Sequence, residues 1–315
     1  MTAYLVRRAA ISAVIAFGLS IVIFGMLHLL YPSPAIVVLP PRTPEALIAS
    51  WNREHGFDDP VIVQYLRYVN QVLHGNLGYS YKLNESVTTL LSQRWARSAY
   101  LSGSSLLLAL LIAMPLGIFQ AVRRNTISDH VTTTAAFTAY AIPDFFFYLI
   151  AIQALALTFP VFGYEASQSS SVLAVMLDWH DMALPISCST LLIVAGYSRY
   201  MRSSAMDTLA QDYITAARAK GLPERLVLLR HLLRNACLPM ATIVGLSIPA
   251  LLAGNLVAEV VFNYNGLGLL FYDSLQTEDY PVLLAYTLVG GLLTIAGNFA
   301  ADIALTVADP RIRLA

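Results

Sequence analysis

Asn255 with Glu259, and Asn298 with Asp302, are pairs of polar side chains four residues apart inside otherwise apolar sequence. That spacing puts each pair on one face of a helix. In an apolar medium such groups either line a watery path or hydrogen-bond one helix to another. For Asn255 and Glu259 both readings stay open, with the lining of a translocation pathway as one of them. For Asn298 and Asp302 the helix-to-helix reading is favoured. Asp144, directly after Pro143, reads as the cap of a kinked or broken helix. Cys188 and Cys237 stand apart, without C-x-x-C spacing or a nearby histidine cluster, and read as small apolar fillers. The six histidines are dispersed and His-Glu-x-x-His is absent, so neither a metal site nor a zinc protease is expected. No G-x-S-x-G elbow and no G-x-x-x-x-G-K-[ST] phosphate loop occurs. The chain is therefore not expected to be an enzyme, and an ATP-driven process would need its ATPase on another subunit.

The elements that must position these residues are membrane helices. Apolar residues make up 57% of the chain and charged residues 12%, and mean hydropathy is +0.63. Soluble domains carry about 25% charge. Six stretches are long enough, at about 20 apolar residues each, to satisfy their own backbone in lipid: residues 9–30, 101–122, 131–159, 184–200, 238–262 and 282–307. The fold class expected is all-α, a polytopic membrane protein with about six transmembrane helices. Its parts are an N-terminal end and first helix over 1–31, a long extracytoplasmic loop over 32–97, and a transmembrane domain over 98–315. The last contains a cytoplasmic loop, 201–237, between helices four and five. The first span follows Arg7-Arg8 but is longer than a signal h-region of about 7–15 residues and lacks a small-x-small site, so it is expected to be retained.

Orientation follows the basic residues. Thirteen of the 19 Lys and Arg fall at the N-terminus, in the 123–124 turn, in the 199–234 loop and at the C-terminus. The other six all lie in the long first loop, and long loops translocate largely regardless of charge. The loops over 165–181 and 273–279 carry acids and no bases. Both termini are expected to be cytoplasmic. In the first loop, Pro32, Pro34, Pro40, Pro41 and Pro44 suggest extended chain. Pro60 then opens a helix with Val61, Tyr65, Tyr68 or Val69, and Val72 on one face, ended by Gly75 and Gly78. An interfacial helix is the favoured reading.

The 201–237 loop holds a charged, helix-forming insert between apolar segments. Asp212 is expected to cap a helix over 214–220, with Ala216, Ala217 and Ala219 giving propensity without bulk. Gly221 supplies a left-handed terminus and Pro223 forbids continuation. A second helix starts at Pro223 and reaches toward Asn235, with Glu224 near its positive end. The alanine face admits close approach of another protein, and Arg218 and Lys220 could pair with acids there. A solvated loop that merely satisfies the charge rule is the alternative.

The run Asp212-Tyr-Ile-Thr-Ala-Ala-Arg-Ala-Lys-Gly-Leu222, with Arg230-His-x-x-Arg-Asn-Ala236 and Leu238-Pro239, resembles the signature loop of ABC importer permeases of the dipeptide/oligopeptide/nickel branch. Asp59-Pro-Val-Ile-Val-Gln-Tyr65, Gly75-Asn-Leu-Gly78, Pro115-Leu-Gly117, Gly254, Glu259-Val-Val-Phe262, Gly266-Leu-Gly268, Asp279-Tyr-Pro281 and Asp309-Pro-Arg-Ile-Arg313 agree in order. The resemblance implies a transport subunit whose short loop helix docks into a separate ATPase. The implied coupling residues are Asp212, Tyr213, Thr215, Ala216, Ala217, Arg218, Ala219, Lys220, Gly221, Leu222, Arg230, His231, Arg234 and Asn235. Phe262 joins Asn255 and Glu259 as a candidate pathway residue.

It also implies partners: a second, non-identical permease subunit, two ATPase subunits or domains, an extracytoplasmic solute-binding protein, and the bilayer of a bacterial or archaeal cytoplasmic membrane, with no nucleic acid. No cofactor is expected in this chain; ATP and Mg belong to the ATPase partners. Peptides are the expected substrate, with nickel chelates, another small solute, or an ATP-independent carrier as alternatives. Three positions depart from the family pattern: Thr215 where Glu is frequent, Tyr31-Pro-Ser-Pro34 for Pro-Gly-Asp-Pro, and Asn265-Gly-Leu-Gly268 for Pro-Gly-Leu-Gly.

Overall fold

The structure is a computed structural model that describes residues 2–30, 35, 39–40, 42–54, 56–80, 82–169 and 171–308. The expectations placed on Tyr31-Pro-Ser-Pro34, Pro41 and Asp309-Pro-Arg-Ile-Arg313 lie outside these residues, as does the side chain of Asp302. The described chain is α-helical apart from one hairpin of two-residue strands. Five helices are long and apolar enough to cross a membrane, or six if one bent pair counts as a single span. The protein is thus a multi-pass, all-α membrane protein. Two compact units divide it, one formed by residues 1–97 and 265–315, the other by 98–264.

In the first unit, α1 (Thr2–Leu30) runs along α14 (Tyr280–Ala308), where Ile23 is buried with Leu284 and Leu288. α2 (Glu45–Glu54) and α3 (Val61–Leu73) follow. Proline supplies the fixed φ at Pro60, and Gly75 at φ 77° ends the turn after His74. α3 lays Tyr65 edge-on against Phe17 and Phe24, and the Tyr65 and Ser20 hydroxyls are 2.8 Å apart. The half-buried face is Gln64, Tyr65, Tyr68, Val69 and Val72. Val61, expected on that face, is 50% exposed because the chain is still turning in from Pro60. The hairpin pairs Tyr79 with Ser86 and Ser80 with Glu85, and the buried Ser80 hydroxyl donates to the Asp279 carboxylate. Val87, Leu90 and Leu91 pack with Leu267, Leu270, Val282 and Ala285, on α13 (Leu267–Gln276) and α14.

α4 (Val87–Val122) has 36 residues, about 54 Å. It starts 14 residues before the expected second span because its first turns are polar and escape a hydropathy window. In the second unit the remainder of α4 meets α8 (Trp179–Leu209), which extends the expected fourth span at both ends. At their crossing a Cβ on Gly117 would stand 2.6 Å from the Met201 Cβ, 2.7 Å from the Ser198 carbonyl oxygen and 2.8 Å from the Arg202 nitrogen. Backbone cannot yield as a side-chain tip does. Gly117→Ala is expected to push the helices apart at a cost of about 1–3 kcal/mol, read as a lower melting temperature of the detergent-solubilised protein.

Two expected spans are interrupted. The third is α5 (Ile127–Ala141) and α6 (Asp144–Ile152) with a π-helical turn over Gln153–Thr158, bent by 102° at the junction. Pro143 forces Ile142 into extended backbone (φ −76°, ψ 130°). Pro143 itself holds the N-cap position, so Asp144 is the first helical residue rather than the cap. The fifth expected span ends at Ala253, where α11 (Leu233–Ala253) meets Gly254 at φ 89°. A separate helix, α12 (Leu256–Val261), follows. Asn255 and Glu259 belong to that helix and its cap, not to the membrane span. α7 (Val172–Leu177) lies in the segment before α8.

Candidate coupling surface

The insert between α8 and α11 folds as α9 (Asp212–Ala219). Gln211, in extended backbone, is the N-cap and makes no side-chain cap bond; its carbonyl accepts from Ile214 N–H at 3.0 Å. Asp212, expected to be the cap, is instead the first helical residue, where its charge opposes the positive helix end. The C-terminus closes as a Schellman motif. Gly221 N–H donates to Arg218 O at 2.9 Å and Leu222 N–H to Ala217 O at 3.4 Å, with Gly221 at φ 76°. A Cβ there meets no atom within 4 Å, so the positive φ alone asks for glycine.

Ile214 and Ala217, three apart, are buried in a cluster with Ala121, Met201, Ala205, Val227, Leu232, Ala236 and Met240. Leu222 packs on the same cluster. Tertiary burial therefore holds an eight-residue helix that would be marginal alone. Ile214 carries most of the seat and is absent from the coupling residues named from sequence; its signal was the three-residue spacing to Ala217.

Asp212, Tyr213, Thr215, Ala216, Arg218, Ala219, Lys220 and Gly221 remain exposed. The outward face is small at Thr215, Ala216 and Ala219. Arg218, expected to await a partner's acid, is held bidentately by Glu224 at 3.1 and 2.6 Å. These bonds raise the Arg218 pKa above its usual value. With side chains 44% and 50% exposed, the pair contributes about 0–1 kcal/mol. It ties α9 to the start of the next helix.

That next helix is longer than expected. Pro223 caps a short turn, α10 (Glu224–Leu226), which passes through a π-helical segment (Val227–Leu232) directly into α11. The reach toward Asn235 thus continues into the membrane span. Arg230, Arg234 and Asn235 are exposed and His231 is half-buried. Asn235 donates to the His231 carbonyl at 2.7 Å. Tyr213 and Asn235 line an open cleft of about 460 Å³ with Asp207 and Gln211. The structure brings the 212–222 and 230–235 residues onto one end of the second unit.

A buried ion pair braces this end. Asp129 accepts from Arg202 Nε at 3.1 Å and Nη2 at 2.9 Å, from Asn125 N–H at 3.0 Å and from Thr133 Oγ1 at 3.0 Å. Arg199, one turn before Arg202, lies over Phe137 at 4.2 Å and Tyr140 at 5.1 Å.

The candidate pathway residues behave differently. Asn255 caps α12 by accepting from Ala258 N–H at 3.2 Å, and Glu259 reaches back to accept from Asn255 N–H at 3.2 Å. Glu259 and Phe262 are fully buried, so neither faces an open path in this conformation. Asn255 borders a cavity. Asn298 is exposed on α14. Among the described residues no group of three or more metal-ligating side chains occurs.

Comparison with known proteins adds to this geometry. A family profile described as "Binding-protein-dependent transport system inner membrane component" matches residues 113–314, and its N-terminal companion matches residues 1–102. The oligopeptide transport system permease protein AppB of Bacillus subtilis (strain 168) is 36% identical over 316 residues, 99% of each chain. A putative peptide permease protein of Brucella ovis is 33% identical over 323 residues, covering 100% of both. The glutathione transport system permease protein GsiC of Salmonella typhimurium is 33% identical over 294 residues, 93% of each.

Proposed function

Because this chain belongs to the family of binding-protein-dependent transport system inner membrane components, and so is a permease subunit of the ABC importer class, we propose that it imports peptides and that α9 is the coupling helix contacting an ATPase. Full-length relatives named for oligopeptide, peptide and glutathione transport are the observation that carries the substrate class. In this reading a second permease subunit completes the pathway, an extracytoplasmic binding protein delivers the peptide, and both termini are cytoplasmic in a bacterial or archaeal cytoplasmic membrane. ATP and Mg are bound by two ATPase subunits.

The chain's own residues divide the work. Ile214, Ala217 and Leu222 seat α9 against the membrane helices. Thr215, Ala216 and Ala219 offer a surface without bulk, so that another protein's backbone can approach closely. Tyr213, Lys220, Arg230, His231, Arg234 and Asn235 flank that contact. Movement applied to α9 passes through the Ile214 cluster into α8 and α11.

The test is purification of the chain with the other products expressed beside it. Co-purification with an ATPase subunit, and ATP hydrolysis stimulated by a peptide-loaded binding protein, are the expected results. Uptake at full rate by the isolated chain without ATP would overturn the coupling reading, and stimulation only by a metal chelate would overturn the peptide.

A further inference from the structure

An unpaired carboxylate sits where a membrane helix is broken. Asp144 is the first residue of α6, beyond the 102° bend, and its side chain is exposed and has no ion-pair partner among the described residues. An ionisable group inside a spanning segment is costly and faces protein or a watery cavity. Here the cavity is present. A cleft of about 450 Å³ is lined by Asp144, Tyr140, Tyr148, Ser189, Asn255 and Leu192 among others. That volume lies within the range of small-ligand sites, about 300–1,000 Å³.

Its polar groups converge from separate elements. The Tyr148 hydroxyl lies 3.3 Å from the Ser189 hydroxyl, and Asn255 Nδ2 donates to it at 3.5 Å. α6 brings Asp144 and Tyr148 on adjacent turns, α8 brings Ser189, and the cap of α12 brings Asn255. Hydroxyl oxygens accept hydrogen bonds from a cation, and one carboxylate supplies the charge. No Lys, Arg or His lines the cleft to neutralise it.

We propose that this cleft is a substrate subsite that receives the protonated amino terminus of the transported peptide, with Asp144 as its counter-ion. The inference rests on the peptide-importer reading and deepens it. A primary ammonium has three donors and no acceptor, which fits one carboxylate beside the hydroxyl oxygens of Tyr148 and Ser189, with Asn255 Nδ2 holding the Tyr148 hydroxyl in place. The contact is wet and made at the edge of an open cleft, so it holds the peptide weakly enough for release.

The experiment uses the assembled complex in proteoliposomes with its binding protein, supplied with a casein digest of short peptides, and uptake followed by mass spectrometry. Asp144→Asn is expected to lower the initial rate about tenfold or more, while Asp144→Glu keeps at least about a third of it. Leu192→Trp, which fills the cleft without touching its charge, is expected to slow uptake similarly and decides the matter if Asp144→Asn does not assemble. Wild-type rates in Asp144→Asn or Leu192→Trp, or equal loss in the Asn and Glu variants, would overturn the subsite. Failure of the wild-type complex to take up any peptide would instead overturn the importer reading itself.

Discussion

Ala216→Trp is expected to abolish ATP-driven uptake while leaving the permease folded. Ala216 is exposed on the outward face of α9 between Thr215 and the buried Ala217, so an indole there collides with whatever docks and with nothing in this chain. Uptake should fall about 100-fold or more, equivalent to about 2.8 kcal/mol at about 1.4 kcal/mol per tenfold. The melting temperature of the purified subunit should not move. Ala217→Arg tests the other face. It thrusts a charge into the Ile214, Met201 and Met240 cluster, an insertion that costs several kcal/mol when unpaired, and should lower both uptake and melting temperature. Thr215→Glu, exposed and isolated from the seat, should retain near-normal uptake if small size and backbone fit carry the contact. Parallel loss of uptake and stability in Ala216→Trp would sink the distinction between a docking face and a seating face.

The second large effect concerns Asp129. Its carboxylate takes four hydrogen bonds, two of them from Arg202, whose side chain is only 24% exposed against 2% for Asp129. Asp129→Ala leaves a part-buried guanidinium and the Asn125 and Thr133 donors without their acceptor. Removing one partner of a buried pair costs about 3–5 kcal/mol; Arg202's residual exposure places the expectation near the lower end, about 3 kcal/mol. Arg202→Ala should cost less, since the Asn125 and Thr133 bonds to Asp129 remain. A double-mutant cycle in detergent denaturation should give a coupling of at least about 1 kcal/mol. Strictly additive losses would show that the pair is not a brace between α5 and α8.

Much of this architecture was legible in the residues, and the failures are instructive. Gly221 and Pro223 marked the end of α9 because positive φ and a missing N–H leave few alternatives. Asp212 was misplaced by one position: its type suits a cap, but Gln211 carries the extended backbone that defines the cap. The break at Ile142 was announced by Pro143, which disfavours helical backbone in the residue before it, whereas the break at Gly254 was masked by hydropathy, which averages over residues and cannot see a single φ. The start of α4 at Val87 was missed for the reverse reason, since Ser, Thr and Arg in its first turns obey helical geometry without being apolar. Arg218's pairing with Glu224 spans a helix end and a proline, so no helical spacing rule could announce it. The Asp129–Arg202 pair joins residues 73 apart and left no local signal.

The π-helical segment over Val227–Leu232 gives the loop a property independent of its side chains. A π turn is an α-helix carrying one surplus residue. Removing a residue there would restore α-helical pairing and rotate everything before it by about 100° about the α11 axis. Ile214 would then leave its seat although no residue of α9 had changed. The angular setting of the exposed face of α9 is thus fixed by a count of residues, and a deletion within Val227–Leu232 is expected to disturb it more than a substitution at the exposed Leu229.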